Sequence, residues 1–215
     1  MEQNLAVLIA DLTGYTALTE THGPVSAADL IDKYVTIIKN CLVGDCNLHE
    51  RTGDEVMIIS TSPDCLLATS LMIMNETSKE ENFLQVHGGL HFGKILKRNN
   101  SYFGTVINLT SRIAAKADPG TFLCSEEFVN SLSDGSSDGL KSKGKHSFKN
   151  ISGEKEMFEI SNNNKIPFLI DPVCRMLILD TNKATRHPGS KDIFFCSPDC
   201  MNIYIRSTTN NPEVP

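Results

Sequence analysis

Two aspartates stand where an apolar segment meets a turn that contains glycine. Asp11 follows six consecutive apolar residues, 5–10, and precedes Gly14 and a helical pattern, whereas Asp54 follows Gly53 in a turn before another apolar segment. A carboxylate beside such a turn and a helix N-terminus is well placed to hold a phosphate-bound cation. Hard cations take oxygen ligands, and the N–H groups of a helix N-terminus favour anions. The alternative for Asp11 is that it caps the helix, and its position alone leaves both roles open.

An amide, a guanidinium and an ammonium group add hydrogen-bonding and cationic chemistry to the two carboxylates. Asn108 and Arg112 are separated by one helical turn and therefore project from the same face of the predicted helix. Lys149 precedes the last predicted strand of this part of the chain. Two carboxylates suit a site with two metal ions, and the three other groups suit a crowded polyphosphate. Each residue alone is more often structural, but the set together favours a catalytic site.

The elements that must position these residues alternate between strands and helices, which is typical of an α/β or α+β protein with a mixed sheet. The patterns predict strands at 5–10, 47–51, 56–60, 84–91, 94–97, 121–125 and 157–160, and helices at 27–43, 65–74, 107–117 and 126–132. Gly23-Pro24 is expected to break the chain before Ser26 caps the first of these helices. Residues 133–147 are rich in serine, glycine and lysine, and they are predicted to form a mobile loop.

Size and composition limit the possible function classes. The chain has 215 residues, enough for one well-packed domain with a small additional module. Its net charge of −6 argues against nucleic acid as a partner, because polyanion-binding proteins usually carry a basic face. The apolar segments 5–10 and 66–74 are too short to span a membrane, so we expect a cytoplasmic protein with reduced thiols and no membrane partner.

Three segments together resemble a known enzyme family. LIADLTGYTALTE, TGDEVMII and YFGTVINLTSRIAAKADPG are similar to the signature blocks of the class III adenylate/guanylate cyclase catalytic domain, in the same order and with similar spacing. The resemblance implies a catalytic domain at 1–160 with an α+β fold, in which a cyclase-type mixed sheet with a ferredoxin-like core is flanked by helices. The implied reaction converts a nucleoside triphosphate into a 3′,5′-cyclic nucleotide and pyrophosphate.

The resemblance assigns roles to individual residues. Asp11 and Asp54 match the two metal-binding aspartates, and Leu12 would add a backbone carbonyl. The implied cofactors are two Mg²⁺ or Mn²⁺ ions per site. Asn108 and Arg112 match the pair that orients the ribose and stabilises the transition state. In this family the aspartates and the Asn/Arg pair come from opposite subunits, which implies a homodimer with two composite sites.

Substrate recognition depends on three further positions. Lys149, within FKNISGEKEMFEI, matches the triphosphate-binding lysine, and Glu50 and Ser101 match the two positions that contact the purine. A glutamate suits guanine and a serine hydroxyl suits either base, with Arg51 a neighbour of the first position. ATP is favoured because single-domain members of bacterial type are more often adenylate cyclases, while GTP stays open. Glu50, and Asn150 in place of a glycine, favour an alternative: a catalytically degenerate cyclase-like protein that senses nucleotide or metal.

The last part of the chain differs from the first in its cysteines. Residues 161–167 form a polar linker, and 168–215 are too few for an independent hydrophobic core without a further source of stability. The thiols of this part lie at Cys174, Cys196 and Cys200, a cluster that in a reducing compartment suggests a metal more than a disulfide. His187 and Asp171 are the candidates for a fourth ligand, and soft ligands favour Zn²⁺ or Cu⁺.

The tail also resembles a known module. DPVCRM together with IFFCSPDC is similar to the YHS domain, a small cysteine-containing metal-binding domain, and Arg175 stands where that pattern has a glycine. This resemblance implies a small Cys-rich metal-binding domain at 168–215, after the cyclase domain. Its metal is expected to be structural or to serve as a signal that tunes the cyclase.

Overall fold

The computed structural model describes residues 2–99, 101–161, 169–178 and 180–210. The chain divides into two compact units, 1–165 and 166–215. The predicted linker, apart from its first residue, and the segment 211–215 lie outside the described residues. The first unit contains the elements of the larger predicted domain, and the second contains the cysteine-rich tail.

A mixed eight-stranded sheet forms the centre of the first unit. Its strands are β1 Glu2–Leu12, β2 Asn47–Thr52, β3 Glu55–Ser60, β4 Val86–Arg98, β5 Ser101–Phe103, β6 Thr121–Ser125, β7 Lys141–Ser147 and β8 Glu154–Ser161. They follow the order β2-β3-β1-β4-β6-β8-β7, and β5 pairs with β4. The β4–β6 pairing is parallel, and the other described pairings of this sheet are antiparallel. The sheet is therefore mixed, as predicted.

In the described part of the first unit, four helices accompany the sheet: α1 Tyr15–Cys41, α2 Pro63–Lys79, α3 Thr105–Ala114 and α4 Glu126–Val129. The predicted break is a kink inside α1, where Gly23 adopts φ 82° and ψ 170°. The prediction that Ser26 caps a helix over 27–43 is wrong, because Ser26 lies within α1. Pro24 follows the kink directly, at a position where a missing N–H costs no hydrogen bond. Among the described residues, no helix combines the length and the apolar character needed to cross a bilayer.

Strand β4 is continuous through Gly93, where the sequence pattern predicted two strands, 84–91 and 94–97. β1 explains the difference, because it pairs with β4 along its whole length. Backbone hydrogen bonds to a long neighbouring strand keep a glycine extended even where it adds no side-chain packing. The predicted interruption is therefore wrong.

β1 is buried on both faces, as its apolar segment predicts. One face packs with α3, β3 and β4 in a single cluster: Leu5, Val7, Ile9, Met57, Ile59, Ile95, Val106 and Ala114. The other face buries Ala6, Leu8 and Ala10 completely. Because neither face can turn to solvent, the strand is held in one orientation, and its carboxyl end places Asp11 at the border of the core.

Gly89 of β4 lets α3 approach the sheet at backbone contact distance. A Cβ atom at this position would lie 2.4 Å from the nitrogen of Ala114 and 2.6 Å from the carbonyl oxygen of Thr110. The helix buries one face: Val106, Leu109, Thr110, Ile113 and Ala114. Asn108 is exposed and Arg112 is half-buried, so both lie off the buried face of the helix.

The segment 133–147 is only partly a loop, because its second half forms β7 and pairs with β8. β7 is an edge strand with mostly exposed side chains, so its sequence has no apolar alternation that would indicate a strand. The Nζ atom of Lys143 lies 2.8 Å from Oε2 of Glu159 on β8. The mobile-loop prediction is therefore wrong for 141–147.

The described residues of the second unit form two short hairpins and one helix. β9 Leu169–Ile170 pairs with β10 Leu177–Ile178, β11 Thr185–Arg186 pairs with β12 Phe194–Phe195, and α5 is Pro198–Asn210. Phe195 is completely buried, and its ring centroid lies 6.3 Å from that of His187 and 5.4 Å from that of Tyr204. An apolar centre of this size supplies little hydrophobic stabilisation.

Candidate functional site

The structure brings Asp11 and Asp54 together at one end of the sheet. Asp11 is the penultimate residue of β1, and Asp54 lies in the turn that joins β2 to β3, where Gly53 adopts φ 62°. Because Ala10 of β1 lies opposite Val56 of β3, the two carboxylates belong to neighbouring chain segments. The carboxylate of Asp11 interacts with that of Asp54 closely enough to raise its pKa.

The two carboxylates repel each other when both are ionised. Burial, and then the neighbouring Asp11, raise the pKa of Asp54 to about 6. The backbone N–H groups of Asp54 and Leu12 lower the pKa of Asp54 and offset this increase only in part. The N–H of Leu12 also donates to Oδ1 of Asp11 at 2.9 Å. A divalent cation between the carboxylates would remove the repulsion, so the residues present fit the predicted Mg²⁺ or Mn²⁺ site. Leu12 contacts Asp11 through its backbone N–H. The role of its carbonyl as a metal ligand stays a prediction.

Asp11 does not cap helix α1. The N-cap residue of this helix is Gly14, with φ 88°, and no side chain accepts a hydrogen bond at the cap. The first turn of α1 contains no acidic residue. The capping alternative for Asp11 is therefore removed, and the N–H groups of the first turn stay available to an anion.

Two further residues lie near the carboxylates and were not predicted from the sequence. Tyr34 of α1 is completely buried, and its hydroxyl has no hydrogen-bond partner among the described residues. Burial raises the pKa of Tyr34, and Asp11 and Asp54 raise it further. His87 lies opposite Asp11 in the β1–β4 register, and its Nδ1 is 3.0 Å from Oγ1 of Thr13. In the sequence, Tyr34 cannot be distinguished from other core residues at helical spacing. His87 could have been noticed, because it is a polar residue at the beginning of an apolar strand.

Asn108 and Arg112 lie one turn apart on α3, as the sequence predicts. Nη1 of Arg112 donates to the carbonyl oxygen of Lys149, so the loop before β8 lies against this helix. The side chain of Lys149 is exposed. Within the part of the chain that the structure describes, no hydrogen bond or ion pair joins Asn108 or Arg112 to Asp11 or Asp54. One chain therefore assembles two groups of candidate residues that do not bond to each other.

Asn150 keeps the backbone conformation for which the cyclase pattern uses glycine. Its φ of 60° is left-handed, and asparagine is among the few residue types that adopt this conformation readily. The replacement therefore leaves the loop after Lys149 in its expected form. Asn150 is therefore only weak support for the alternative that the cyclase domain is catalytically degenerate.

Glu50 and Ser101 line the same cleft, which has a volume of about 220 Å³. Ile9 and the rings of His49 and Tyr102 also line it, and these two rings pack edge to face with their centroids 4.7 Å apart. A carboxylate and a hydroxyl beside aromatic rings can hold a planar heterocycle by hydrogen bonds and ring contact. The structure thus brings the two predicted base-contacting residues together, and their role stays a prediction.

The three cysteines of the tail come together in the second unit. The Sγ atom of Cys196 lies 3.4 Å from that of Cys174 and 3.7 Å from that of Cys200, and all three are free thiols. With a carboxylate oxygen of Asp171 they form a group of four ligand atoms that all lie within 4.8 Å of one another. This arrangement suits a single metal ion.

His187, the other candidate for a fourth ligand, is not part of this group. Its Nδ1 accepts the N–H of Gly189 at 3.0 Å, and its ring packs against Tyr204 with centroids 5.8 Å apart. Arg175 adopts φ 62°, so the backbone keeps the conformation of the glycine that the YHS pattern has there. Of the two predicted candidates, the structure favours Asp171.

The sequence of the first unit matches a known family over nearly its whole length. Residues 1–162 match the adenylate and guanylate cyclase catalytic domain. The chain belongs to this family. The match ends before the second unit begins, so it does not describe the cysteine-rich tail.

Curated relatives cover part of the same region. An uncharacterized protein of Mycobacterium tuberculosis is 32% identical over 126 residues, which are 58% of this chain and 33% of that protein. An adenylate cyclase of Glutamicibacter nicotianae is 30% identical over 128 residues, which are 59% of this chain and 32% of that protein. The chain thus spans about one third of the length of these relatives.

A solved structure shows the same fold. The crystal structure of the adenylyl cyclase CyaB from P. aeruginosa aligns with a TM-score of 0.65 and 17% sequence identity, over 77% of this chain and 97% of that chain. At this level of identity the likeness shows the fold alone. The mixed α+β cyclase fold expected from the sequence is therefore confirmed.

Proposed function

We propose that the first unit is the catalytic part of a nucleotide cyclase that converts ATP into its 3′,5′-cyclic nucleotide and pyrophosphate, with GTP as the open alternative. The observation that carries this proposal is the convergence of Asp11 and Asp54 on one site. Membership of the cyclase family supports the same chemistry. In this reaction the ribose 3′-oxygen forms a bond to the α-phosphorus, its proton passes to solvent, and the bond to pyrophosphate breaks.

The two aspartates would hold two Mg²⁺ or Mn²⁺ ions, with the carbonyl of Leu12 as the predicted further ligand. Bound there, the ions supply Lewis acidity, which lowers the pKa of the 3′-hydroxyl and favours triphosphate binding. The mutual repulsion that raises the pKa of Asp54 supports this role, because a cation relieves it. The first turn of α1, which follows Gly14, offers backbone N–H groups to phosphate oxygens.

A second copy of the chain would complete each site. The reaction needs positive charge beside the α-phosphate, and Arg112 does not bond to the aspartates of its own chain. In a two-fold homodimer, α3 of each copy would face the aspartates of the other, which gives two composite sites. Arg112 would balance the charge of the transition state and Asn108 would orient the ribose. Lys149, whose carbonyl already orients Arg112, would bind the triphosphate with its ammonium group.

Glu50 and Ser101 would contact the base, because both line one cleft. A carboxylate accepts hydrogen bonds from N1–H and N2–H of guanine, and a hydroxyl donates to or accepts from either base. The similarity to an adenylate cyclase supports ATP, whereas Glu50 supports GTP. The choice between the bases therefore requires both nucleotides in one assay.

The test is incubation of the full chain with ATP or GTP and Mn²⁺, followed by chromatographic separation of the products. We expect equal amounts of cyclic nucleotide and pyrophosphate, with a higher kcat/KM for ATP. Asp11→Ala should abolish the product without unfolding the protein. Asp29→Ala is the matched control, because Asp29 is an exposed aspartate of α1 outside the proposed site, and it should leave the rate unchanged.

Each other outcome has a distinct meaning. Product from GTP alone would correct the base and keep the cyclase. Nucleotide binding by folded, dimeric protein without any product would contradict the proposal and favour the degenerate regulatory alternative. Activity of the Asp11→Ala variant would show that the reaction does not require Asp11.

We also propose that the second unit, which resembles the YHS domain, binds one soft metal ion, Zn²⁺ or Cu⁺. The supporting observation is the group of free thiols and one carboxylate within ligand distance of each other. Because the apolar centre around Phe195 is small, the unit needs a further source of stability, and a bound ion would supply it. Metal analysis of protein purified without chelator should find one ion per chain. A folded second unit without metal would contradict this proposal.

A further inference from the structure

Asp171 connects the two hairpins of the second unit around the thiols. Its side chain is completely buried, and its Oδ1 accepts the N–H groups of Val173 at 2.7 Å and Cys174 at 3.1 Å. Its Oδ2 accepts the N–H of Cys196 at 2.7 Å. The carboxylate therefore holds the backbone of two of the three cysteines in place, before β10 and after β12.

The backbone hydrogen bonds of Asp171 leave one acceptor position to the neighbouring thiols. A carboxylate oxygen has two lone pairs in its plane. Oδ1 accepts the N–H groups of Val173 and Cys174, and Oδ2 accepts the N–H of Cys196. The carboxylate also interacts with the Cys196 thiol. Backbone donors already stabilise the charge of this buried carboxylate, and its remaining lone pair lies beside three thiols, where a cation could replace the thiol protons.

The spacing of the sulfur atoms fits a tetrahedral ion. Zn–S bonds of about 2.3 Å at tetrahedral angles place two sulfur ligands about 3.8 Å apart. The distances observed here are 3.4 Å for Cys174–Cys196 and 3.7 Å for Cys196–Cys200. Only small side-chain adjustments would place an ion between the three sulfurs and the carboxylate.

We propose that the second unit holds a single Zn²⁺ through the Sγ atoms of Cys174, Cys196 and Cys200 and through Oδ2 of Asp171. Asp171 is then both a ligand and the residue that positions two of the cysteines. Cu⁺ prefers sulfur ligands, so the three thiolates alone are sufficient to bind it. A closed Zn²⁺ site has four ligands, and a carboxylate oxygen can be the fourth. The inference rests on the proposed metal site of this unit and is independent of cyclase activity.

The test compares Zn²⁺ and Cu⁺ binding by the full chain and by its Asp171→Asn variant, each titrated under reducing conditions against a coloured chelator of that metal. The unaltered chain should bind one Zn²⁺. The variant should lose roughly 10–100-fold in Zn²⁺ affinity or more, since second-layer changes at metal sites already cost that much. Its Cu⁺ affinity should fall less than its Zn²⁺ affinity, because the lost hydrogen bond to the Cys196 N–H disturbs the thiolates for both metals, whereas only Zn²⁺ also loses a ligand.

Two control variants separate ligation from general damage. Asp180→Asn changes another aspartate of the second unit that accepts a backbone N–H, from Asn182 at 3.0 Å, but lies outside the ligand group. This variant and His187→Gln should leave both affinities unchanged. Co²⁺ in place of Zn²⁺ supplies a direct readout, because thiolate-to-Co²⁺ absorption that persists in Asp171→Asn shows that the cysteines still assemble.

Four results would overturn the inference. Equal losses of Zn²⁺ and Cu⁺ affinity in Asp171→Asn would leave Asp171 as a positioning residue without a ligand role. Unchanged Zn²⁺ affinity in Asp171→Asn would show that Asp171 is neither a ligand nor a positioning residue. A loss confined to His187→Gln would make histidine the fourth ligand. Failure of the folded, unaltered chain to bind Zn²⁺ would refute the metal site itself, whatever the cyclase assay shows.

Discussion

The carboxylate pair of the first unit and the thiolate group of the second are both candidate metal sites, but they are assembled differently. Asp11 and Asp54 come from two segments joined by strand pairing, and the candidate residues of α3 do not bond to them. The thiolate group takes its ligands from 171–200, and its four ligand atoms already lie together. As proposed, the first site would need a substrate and a second copy of the chain to be complete, whereas the second would need only an ion.

The same residue type has opposite acidity in the two sites. Burial, and then the neighbouring Asp11, raise the pKa of Asp54 to about 6. Burial alone would also raise the pKa of Asp171, but the backbone N–H donors, first that of Cys196, outweigh it and lower the pKa to about 2. In the first site the two carboxylates thus repel each other, and a bound cation would relieve that repulsion. The tail carboxylate is stabilised in advance by its own backbone.

Removal of the proposed tail metal should have the largest effect and would test the difference between the two sites most directly. A structural zinc ion contributes roughly 10 kcal/mol to the folding of a small unit. Chelation, or Cys200→Ala, should therefore unfold the second unit, with loss of α5 and rapid proteolysis of the tail, while the first unit stays folded. Limited proteolysis and circular dichroism with and without chelator measure this. Cys65→Ala, at a buried thiol of the first unit, should leave the tail intact, and a tail unaffected by chelation would contradict the expectation.

Complementation tests whether the first site is shared between two copies. Asp11→Ala and Arg112→Ala should each lose activity by roughly 10³-fold, because each removes a group that acts on the reacting phosphate. An equal mixture, after exchange of subunits, should recover about a quarter of the normal rate, since half of the dimers are mixed and each has one intact site. The cyclase assay on the two variants, alone and mixed, measures this. A mixture as inactive as its components would place both groups in one chain.

The pH dependence of stability tests the carboxylate repulsion. Because the pKa of Asp54 is raised from 3.8 to about 6, the folded state binds the proton more tightly than the unfolded chain. This stabilisation is fully present below about pH 4 and is lost as the pH rises through about 6. In metal-free protein at pH 7.5, Asp54→Asn should therefore be more stable than the unaltered chain by about 1–2 kcal/mol, after a discount for solvent screening.

Urea unfolding in the presence of chelator at pH 4.5 and pH 7.5 measures this difference. The variant should show the smaller fall in stability between the two pH values, and Mn²⁺ should stabilise only the unaltered chain. Identical pH profiles for the two proteins would show that Asp54 is not strained by its neighbour.

Tyr34→Phe is expected to have the smallest effect of the changes considered, and the effect is on the free energy of unfolding. The tyrosine hydroxyl is buried without a described partner, so its removal deletes an unsatisfied polar atom and keeps the ring. The free energy of unfolding should rise by about 1 kcal/mol. Tyr102→Phe, at a half-buried ring beside the base cleft, is the comparison and should change stability by less than half of that. A less stable Tyr34→Phe protein would show that the hydroxyl has a partner after all.

The elements that were predictable share one property, which is that burial leaves a pattern in the sequence. β1 and β6 are buried on both faces and appear as apolar segments, and α3 is amphipathic. β7 left no such pattern because it is an exposed edge strand that forms only on β8. Gly93 looked like an interruption because its pairing with β1 cannot be seen from local residues.

The sequence by itself determined which residue types are present and in what order: the aspartates, the Asn/Arg pair one turn apart, and the three tail cysteines. Only the tertiary structure decided which of them meet, because proximity depends on strand register and packing. Asp54 lies beside Asp11 because β3 pairs with β1 in one register, and Asp171 rather than His187 joins the cysteines. Tyr34 lies near the site for the same reason, since only packing brings this core residue close enough to the two carboxylates for them to raise the pKa of its hydroxyl.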